Sequence, residues 1–182
     1  KAAVEVAEGA SVGGGVSATA TSDASVTNAG AVDGAVTARA GNGGANSFDQ
    51  TLVYDGKGVL LSNTTKTTSG PAVGNASVVI AETGSIGGNA LATATNNASV
   101  DNAGAIDGNL TATAGNGNAN TTSQALVFDS TGALLLSDVY ETSDTRSKGN
   151  ASAVNAATGK VGGSVNANAT QDISIANAGT VG

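Results

Sequence analysis

Chemistry in this chain would have to come from carboxylates, because it holds neither histidine nor cysteine. Without an imidazole or a thiol there is no Ser–His triad, no Cys–His pair and no imidazole- or thiolate-ligated metal site. Two carboxylates flanking a glycosidic bond can hydrolyse it. The nearest such sets are Asp49 with Asp55, and Asp138 with Glu141 and Asp144. Sugar clefts usually carry aromatic platforms, whereas the whole chain has two Tyr, two Phe and no Trp. These acids read as solvated loop residues, the chain is expected not to be an enzyme, and no cofactor is implied. Calcium is the other candidate, since secreted β-rolls bind it with repeated Gly-Gly-x-Gly-x-Asp turns. Gly43-Gly44-Ala45-Asn46-Ser47-Phe48-Asp49 has that flavour without the register, and residues 117–123 lack the Asp. No metal site is assigned.

Two further patterns concern surfaces. Outward-facing Thr19, Thr21, Thr93, Thr95, Thr111 and Thr113 would make flat hydroxyl ranks, as in ice-binding repeats, but Arg39, Asn166 and Asn168 break them. Thr is also simply a good exposed strand residue. Seven Asn-x-Ser/Thr sequons stand at Asn63, Asn75, Asn97, Asn109, Asn120, Asn150 and Asn168 and are candidate glycosylation sites.

The elements that hold these residues must be thin. The apolar fraction comes mainly from Ala and Val, with 27 Gly and no Met, so the side chains that fill a wide core are missing. Charged residues are only 12%, which is unlike a disordered chain. Seven basic and fourteen acidic residues give a net charge of −7, and the basic ones are scattered from Lys1 to Lys160. Nucleic acid is therefore not an expected partner. No apolar run is long enough to span a bilayer, so membrane insertion by this segment is not expected.

Repeats organise the whole chain. Val12-Gly13-Gly14 recurs as Ile86-Gly87-Gly88 and Val161-Gly162-Gly163, and Leu52-Val53-Tyr54-Asp55 as Leu126-Val127-Phe128-Asp129. The offset is 74 residues, then 75. Residues 1–75 form repeat 1, 76–150 repeat 2, and 151–182 the start of repeat 3; the chain reads as an excised or processed piece of something longer. Inside each repeat lies a period of 20: Val12, Gly14, Val16, Ala18 and Ala20 map onto Val32, Gly34, Val36, Ala38 and Ala40. Val16-Ser17-Ala18-Thr19-Ala20-Thr21 alternates small apolar and hydroxyl residues, the period of a strand. The expected fold is all-β, a parallel β-solenoid with coils of about 20 residues nested in a repeat of about 75. Asn28, Gly30, Gly34, Asn102, Gly104, Gly108, Asn177 and Gly179 are assigned to its corners, as residues that tolerate positive φ.

The pattern changes over 41–75 and 115–150. Thr51 to Leu61 looks like two strands around Asp55-Gly56-Lys57-Gly58, a hairpin signal. These segments fit either wider coils or hairpins projecting from the solenoid. Residues 49–61 and 123–136, with Tyr54, Asp55, Lys57, Phe128 and Asp129, are the candidate partner contacts.

Val26-Thr27-Asn28-Ala29-Gly30-Ala31-Val32-Asp33-Gly34 and its copies at 100–108 and 175–182 resemble the passenger regions of autotransporters and large secreted adhesins of Gram-negative bacteria. The resemblance implies a long parallel β-helix at the cell surface. Two functions are expected from it. The first is the structural shaft of an extracellular adhesin or fibre, a rigid spacer whose loops touch host or neighbouring cell-surface molecules. The alternative is a subunit that associates end to end into an extracellular filament or surface layer.

Overall fold

The computed structural model describes residues 1–41, 44–55, 57–115, 118–131, 133–146 and 148–182, and the side chains of 42–47, 67–71, 116–123 and 138–147 fall outside that description. The described chain is all-β, with no helix, and mostly parallel sheets of short strands. It divides into two compact units: residues 1–43, 72–117 and 146–182, and residues 44–71 with 118–145.

In the first unit the chain visits three sheets in rotation. The first circuit is β1 (Ala2–Val6), β2 (Ser11–Val12) and β3 (Val16–Ala20), and the second is β4 (Ala24–Asn28), β5 (Ala31–Val32) and β6 (Val36–Ala40). After an insertion holding β7 (Gly44–Tyr54) and β8 (Leu60–Pro71), the third circuit is β9 (Ala76–Ile80), β10 (Ser85–Ile86) and β11 (Ala90–Thr93). The fourth is β12 (Ala98–Asn102), β13 (Ala105–Ile106) and β14 (Leu110–Thr113), followed by a second insertion with β15 (Asn118–Phe128) and β16 (Leu134–Arg146). The fifth is β17 (Ala151–Asn155), β18 (Lys160–Val161) and β19 (Val165–Asn168), and β20 (Ile173–Asn177) and β21 (Thr180–Val181) begin the sixth.

Sheet A stacks β1-β4-β9-β12-β17-β20, sheet B stacks β2-β5-β10-β13-β18-β21, and sheet C stacks β3-β6-β11-β14-β19. Every pairing in them is parallel and in matched register, so like positions of successive circuits form columns. Strand alternation then decides what is inside. One column of sheet A is Val26, Val78 and Val100, another of sheet B is Val32, Ile86 and Ile106, and sheet C contributes Val36, Ala90 and Leu110, all at most 2% exposed. Because Ala and Val are short, three sheets can close on so thin a core.

The 20-residue period holds in two sheets only. Val16 pairs with Val36 and Ser11 with Ala31, but Ala2 pairs with Ala24, a step of 22. The difference sits at the corner between sheets A and B, which spans four residues in odd circuits and two in even ones. The offset of 75 against 74 also has a location: β16 has 13 residues where β8 has 12.

The second unit is a four-stranded antiparallel sheet, ordered β16-β15-β8-β7. The insertions are thus hairpins rather than wider coils. They are longer than the Thr51 to Leu61 signal, because Ser- and Thr-rich flanks extend the ladder as far as Gly44 opposite Pro71. β8 also pairs with β15, from Asn120 opposite Ser69 to Val127 opposite Ser62, joining the two hairpins.

Candidate functional site

The polar groups of the first unit are arranged in columns as regular as its core. Asn28, Asn102, Asn155 and Asn177 share one position at the end of sheet A strands, in the column that also holds Val6 and Ile80. The first three asparagines are at most 1% exposed. In the second and fourth circuits the amide shapes the two-residue corner: Asn28 Oδ1 accepts from Gly30 N at 3.2 Å, and Asn102 Oδ1 from Gly104 N at 3.1 Å. The other end of each amide reaches the next circuit. Asn28 Nδ2 donates to Ser85 O at 3.1 Å, and Asn102 Nδ2 to Asn155 Oδ1 at 2.9 Å and Lys160 O at 3.3 Å. Asn155 Nδ2 donates in turn to Asn177 Oδ1 at 2.8 Å and Thr180 O at 3.2 Å. Odd circuits need no such amide, because their longer corners close on backbone, as Gly84 N to Ala81 O at 2.9 Å. That is why hydrophobic Val6 and Ile80 are accommodated there.

Asn155 is the residue that sequence reasoning missed. It lacks the following Ala-Gly, yet it ends the same Ala-Ser-x-x-Asn pattern as Asn28 and Asn102, and that pattern would have found it.

The corner glycines require a correction. Positive φ occurs only at Gly9, Gly41, Gly58 and Gly115 among the described residues, so Gly30, Gly34, Gly104, Gly108 and Gly179 are not there for left-handed backbone. They are there for close approach. A Cβ on Gly30 would lie 2.6 Å from Ala7 O, and one on Gly34 2.7 Å from Gly15 N. At Gly104, Gly108 and Gly179 it would meet Gly84 O, the Asn89 side chain and Gly159 O respectively. The crowding comes from the neighbouring circuit, not from the turn itself.

Outside the sheet, a second polar column runs Asp23, Asn75, Asn97, Asn150 and Asp172. Asn75 Nδ2 donates to Asp23 Oδ1 at 3.1 Å, while Asn97 N, Asn150 N and Asp172 N each donate to the preceding side-chain oxygen. Lys1 Nζ caps the column at 2.9 Å from Asp23. Hydrogen bonds from Lys1 and then from Asn75 hold the Asp23 carboxyl below the usual carboxylate range. Asp101 is shifted the other way, because it stands between Val79 and Val154 and loses solvent there. Three sequons, Asn75, Asn97 and Asn150, are exposed members of the outer column. Asn109 is also exposed and accepts from Ser164 N at 2.8 Å, Asn168 is exposed on β19, and Asn63 accepts from Gln50 Nε2 at 3.1 Å. The side chain of Asn120 lies outside the described residues.

Thr95 is not part of an outward rank. It is 5% exposed, donates to Ala72 O at 2.7 Å and accepts from Gly74 N at 3.0 Å, where the chain returns from the first insertion. Thr19 pairs with Arg39, and Thr111 and Thr113 with Asn166 and Asn168, so the remaining hydroxyl ranks are interrupted.

In the second unit, Asp55 and Asp129 shape the hairpin turns. Asp55 Oδ1 accepts from Lys57 N and Val59 N, both at 2.8 Å, and Asp129 Oδ1 from Thr131 N at 2.8 Å and Ala133 N at 3.0 Å. Asp49 faces Lys66 across the ladder. The side chains of Asp138, Glu141 and Asp144 lie outside the described residues, and Gly44 to Asp49 are extended strand. Tyr54 is exposed beside Phe48, Leu52 and Val53 on edge strand β7, and Leu134, Leu135 and Leu136 are exposed on the opposite edge, β16. Phe128 is half-buried.

No group of three or more potential metal-ligating side chains occurs among the described residues, and no helix there is long and apolar enough to cross a membrane. Comparison with protein-family models, with curated proteins and with solved structures gave no match to this chain.

Proposed function

We propose that the first unit is a parallel β-solenoid and that it serves as the structural shaft of an extracellular surface adhesin or fibre. One observation carries the reading: circuits stack in an unshifted parallel register, each burying the same columns against the next. Such a stack gains length of about 4.8 Å per circuit without needing a new core. Satisfied asparagine amides inside and an acid–amide column outside fix the register, which suits a rigid spacer. The hairpin sheet supplies what a shaft lacks, a set of exposed Phe48, Leu52, Val53, Tyr54 and Leu134 to Leu136 for contact with host or neighbouring cell-surface molecules. The resemblance to secreted adhesins supports the extracellular location.

Deleting residues 76–150 joins Asn75 to Ala151 and puts Ala24 opposite Ala151 with every column preserved. The shortened chain folds and loses two circuits, about 10 Å of solenoid length, measurable by small-angle scattering. A deletion variant that fails to fold would refute the spacer reading. Replacing residues 44–71 and 118–145 by short Gly-Ser linkers abolishes adhesion of bacteria or beads displaying the chain, and undiminished adhesion would remove the hairpins from the contact role.

A further inference from the structure

We infer that the outer face of sheet A over β9, β12 and β17 docks an extended segment of a partner protein, with one basic side chain of that segment lying in an apolar groove against Asp101. The inference needs only the register of these three strands and stands apart from the shaft reading.

The groove comes from the alternation of corner lengths. The two-residue corner of the fourth circuit, Ala103-Gly104, lies between the four-residue corners 81–84 and 156–159 of its neighbours. The space left beside the short corner is a groove of about 310 Å³. Val79, Ala81 and Glu82 wall it on one side and Val154 and Ala156 on the other, with Asp101 between them. Asp101 and Glu82 are the charged groups in an otherwise mostly apolar lining.

Asp101 has no structural reason to be an acid. Among the described residues no hydrogen bond or ion pair reaches its carboxylate, and its flanking valines take solvent from it. The same column in the second circuit is filled by Thr27, without a charge. A carboxylate that loses solvent and has no partner inside the molecule is complementary to a cation from outside. Lysine and arginine carry that cation on an aliphatic stem. The stem covers Val79 and Val154, the charge meets Asp101, and Glu82 stands at the exposed rim. A neutral aliphatic side chain in the same place would strip water from Asp101 and leave it unpaired, which is costly. The net charge of −7 favours the approach of a basic partner.

A second groove on the same face makes the occupant a peptide segment rather than a free amine. At the start of the same three strands, a space of about 350 Å³ lies between the column Asn75, Asn97, Asn150 and the serines Ser77, Ser99, Ser152. Asn97 and Asn150 spend Oδ1 on the backbone of the next circuit, and their Nδ2 groups donate to nothing among the described residues. These donors stand one rung apart and can take backbone carbonyls or side-chain oxygens of a bound chain. From Asn97 to Asp101 is four positions along extended backbone, about 13 Å. A small alkylammonium ion cannot span both grooves; an extended peptide does so within four residues.

Nuclear magnetic resonance on the nitrogen-15-labelled 182-residue chain tests this with three probes. They are the peptide acetyl-Ser-Thr-Ser-Thr-Lys-Thr-Ser-Thr-Ser-amide, the same peptide with norleucine for lysine, and N-acetyl-lysine methylamide. The lysine peptide is expected to shift the backbone amides of 79–82, 101–103 and 154–156 together with the side-chain amides of Asn97 and Asn150. The norleucine peptide binds about fivefold more weakly, the loss of one partly exposed ion pair. Asp101→Asn keeps the spectrum of a folded chain and brings the two peptides to the same affinity. Should D101N lose its dispersion, Asp101→Thr, which copies Thr27, replaces it. Shifts absent from this face, equal affinity of the two peptides for the wild-type chain, or a lysine preference that survives in the Asp101 variant would each overturn the inference. So would N-acetyl-lysine methylamide binding as tightly as the peptide, since the occupant would then be a free amine. None of these outcomes touches the deletion experiment, which measures length within one chain.

Discussion

Asparagine 102 tests whether the inner amides specify the corners or merely occupy them. Replacing it by alanine strips the acceptor from Gly104 N and the donor from Asn155 Oδ1, both buried groups. A buried polar group left without its partner costs about 1–3 kcal/mol, so the two together amount to about 2–6 kcal/mol. Asn155→Ala provides the comparison within the same column. There, Asn102 Nδ2 keeps Lys160 O, while Asn177 is exposed and water can replace the lost partner. The corner after Asn155 is closed by Gly159 N to Ala156 O at 2.9 Å and does not depend on the amide. The expected loss is that of an ordinary hydrogen bond, about 1 kcal/mol. Urea unfolding followed by far-UV circular dichroism, with an unchanged denaturant slope, measures the difference. A third variant sharpens the test. In N102A, replacing Ala103-Gly104 by the four-residue corner Ala-Ala-Thr-Gly found at 156–159 supplies the backbone closure and recovers most of the loss. Equal costs for N102A and N155A, or no recovery with the longer corner, would refute the argument that corner length dictates where asparagine is needed.

Three further outcomes are expected. Gly104→Ala places a Cβ against Gly84 O and Ala81 O, backbone atoms that cannot turn aside, and costs about 1–3 kcal/mol; Gly14→Ala, with nothing within 4 Å, is stabilising by about 0.4–1 kcal/mol in the same urea assay. Asp101 has a folded-state pKa raised by burial above its ordinary 3.8. Between those two values the folded chain holds a proton that the unfolded chain has released, so its contribution to stability falls as pH rises through that window. Asp101→Asn therefore raises Tm at pH 7, and the gain disappears at pH 3; an equal gain at both would exclude the burial explanation. Asp55→Ala removes the two side-chain bonds of the first hairpin turn, and amide hydrogen exchange speeds up across 44–71 while β12 and β17 keep their protection.

The sequence by itself determined the strand period, the repeat and the places where the repeat is interrupted. These properties are local or periodic: alternation of Val and Ala with Ser and Thr sets which face is buried, and an offset of 74 or 75 sets which residues share a column. Even the interruptions over 41–75 and 115–150 stood out, because they break a period. Only the tertiary structure decided what the corner residues do. Gly30 and Gly104 looked like turn residues of their own strands, yet they are small because the circuit beside them leaves no room for a Cβ. Thr95 continued an outward alternation and is turned to a buried stem by Ala72 and Gly74, more than twenty residues away in the chain. Asn155 carried no turn signal, since its role is to receive an amide from the circuit before it and pass one to the circuit after. A one-dimensional pattern records what each residue does along its own strand; stacking adds the demands of neighbouring circuits, and those demands chose the glycines and asparagines.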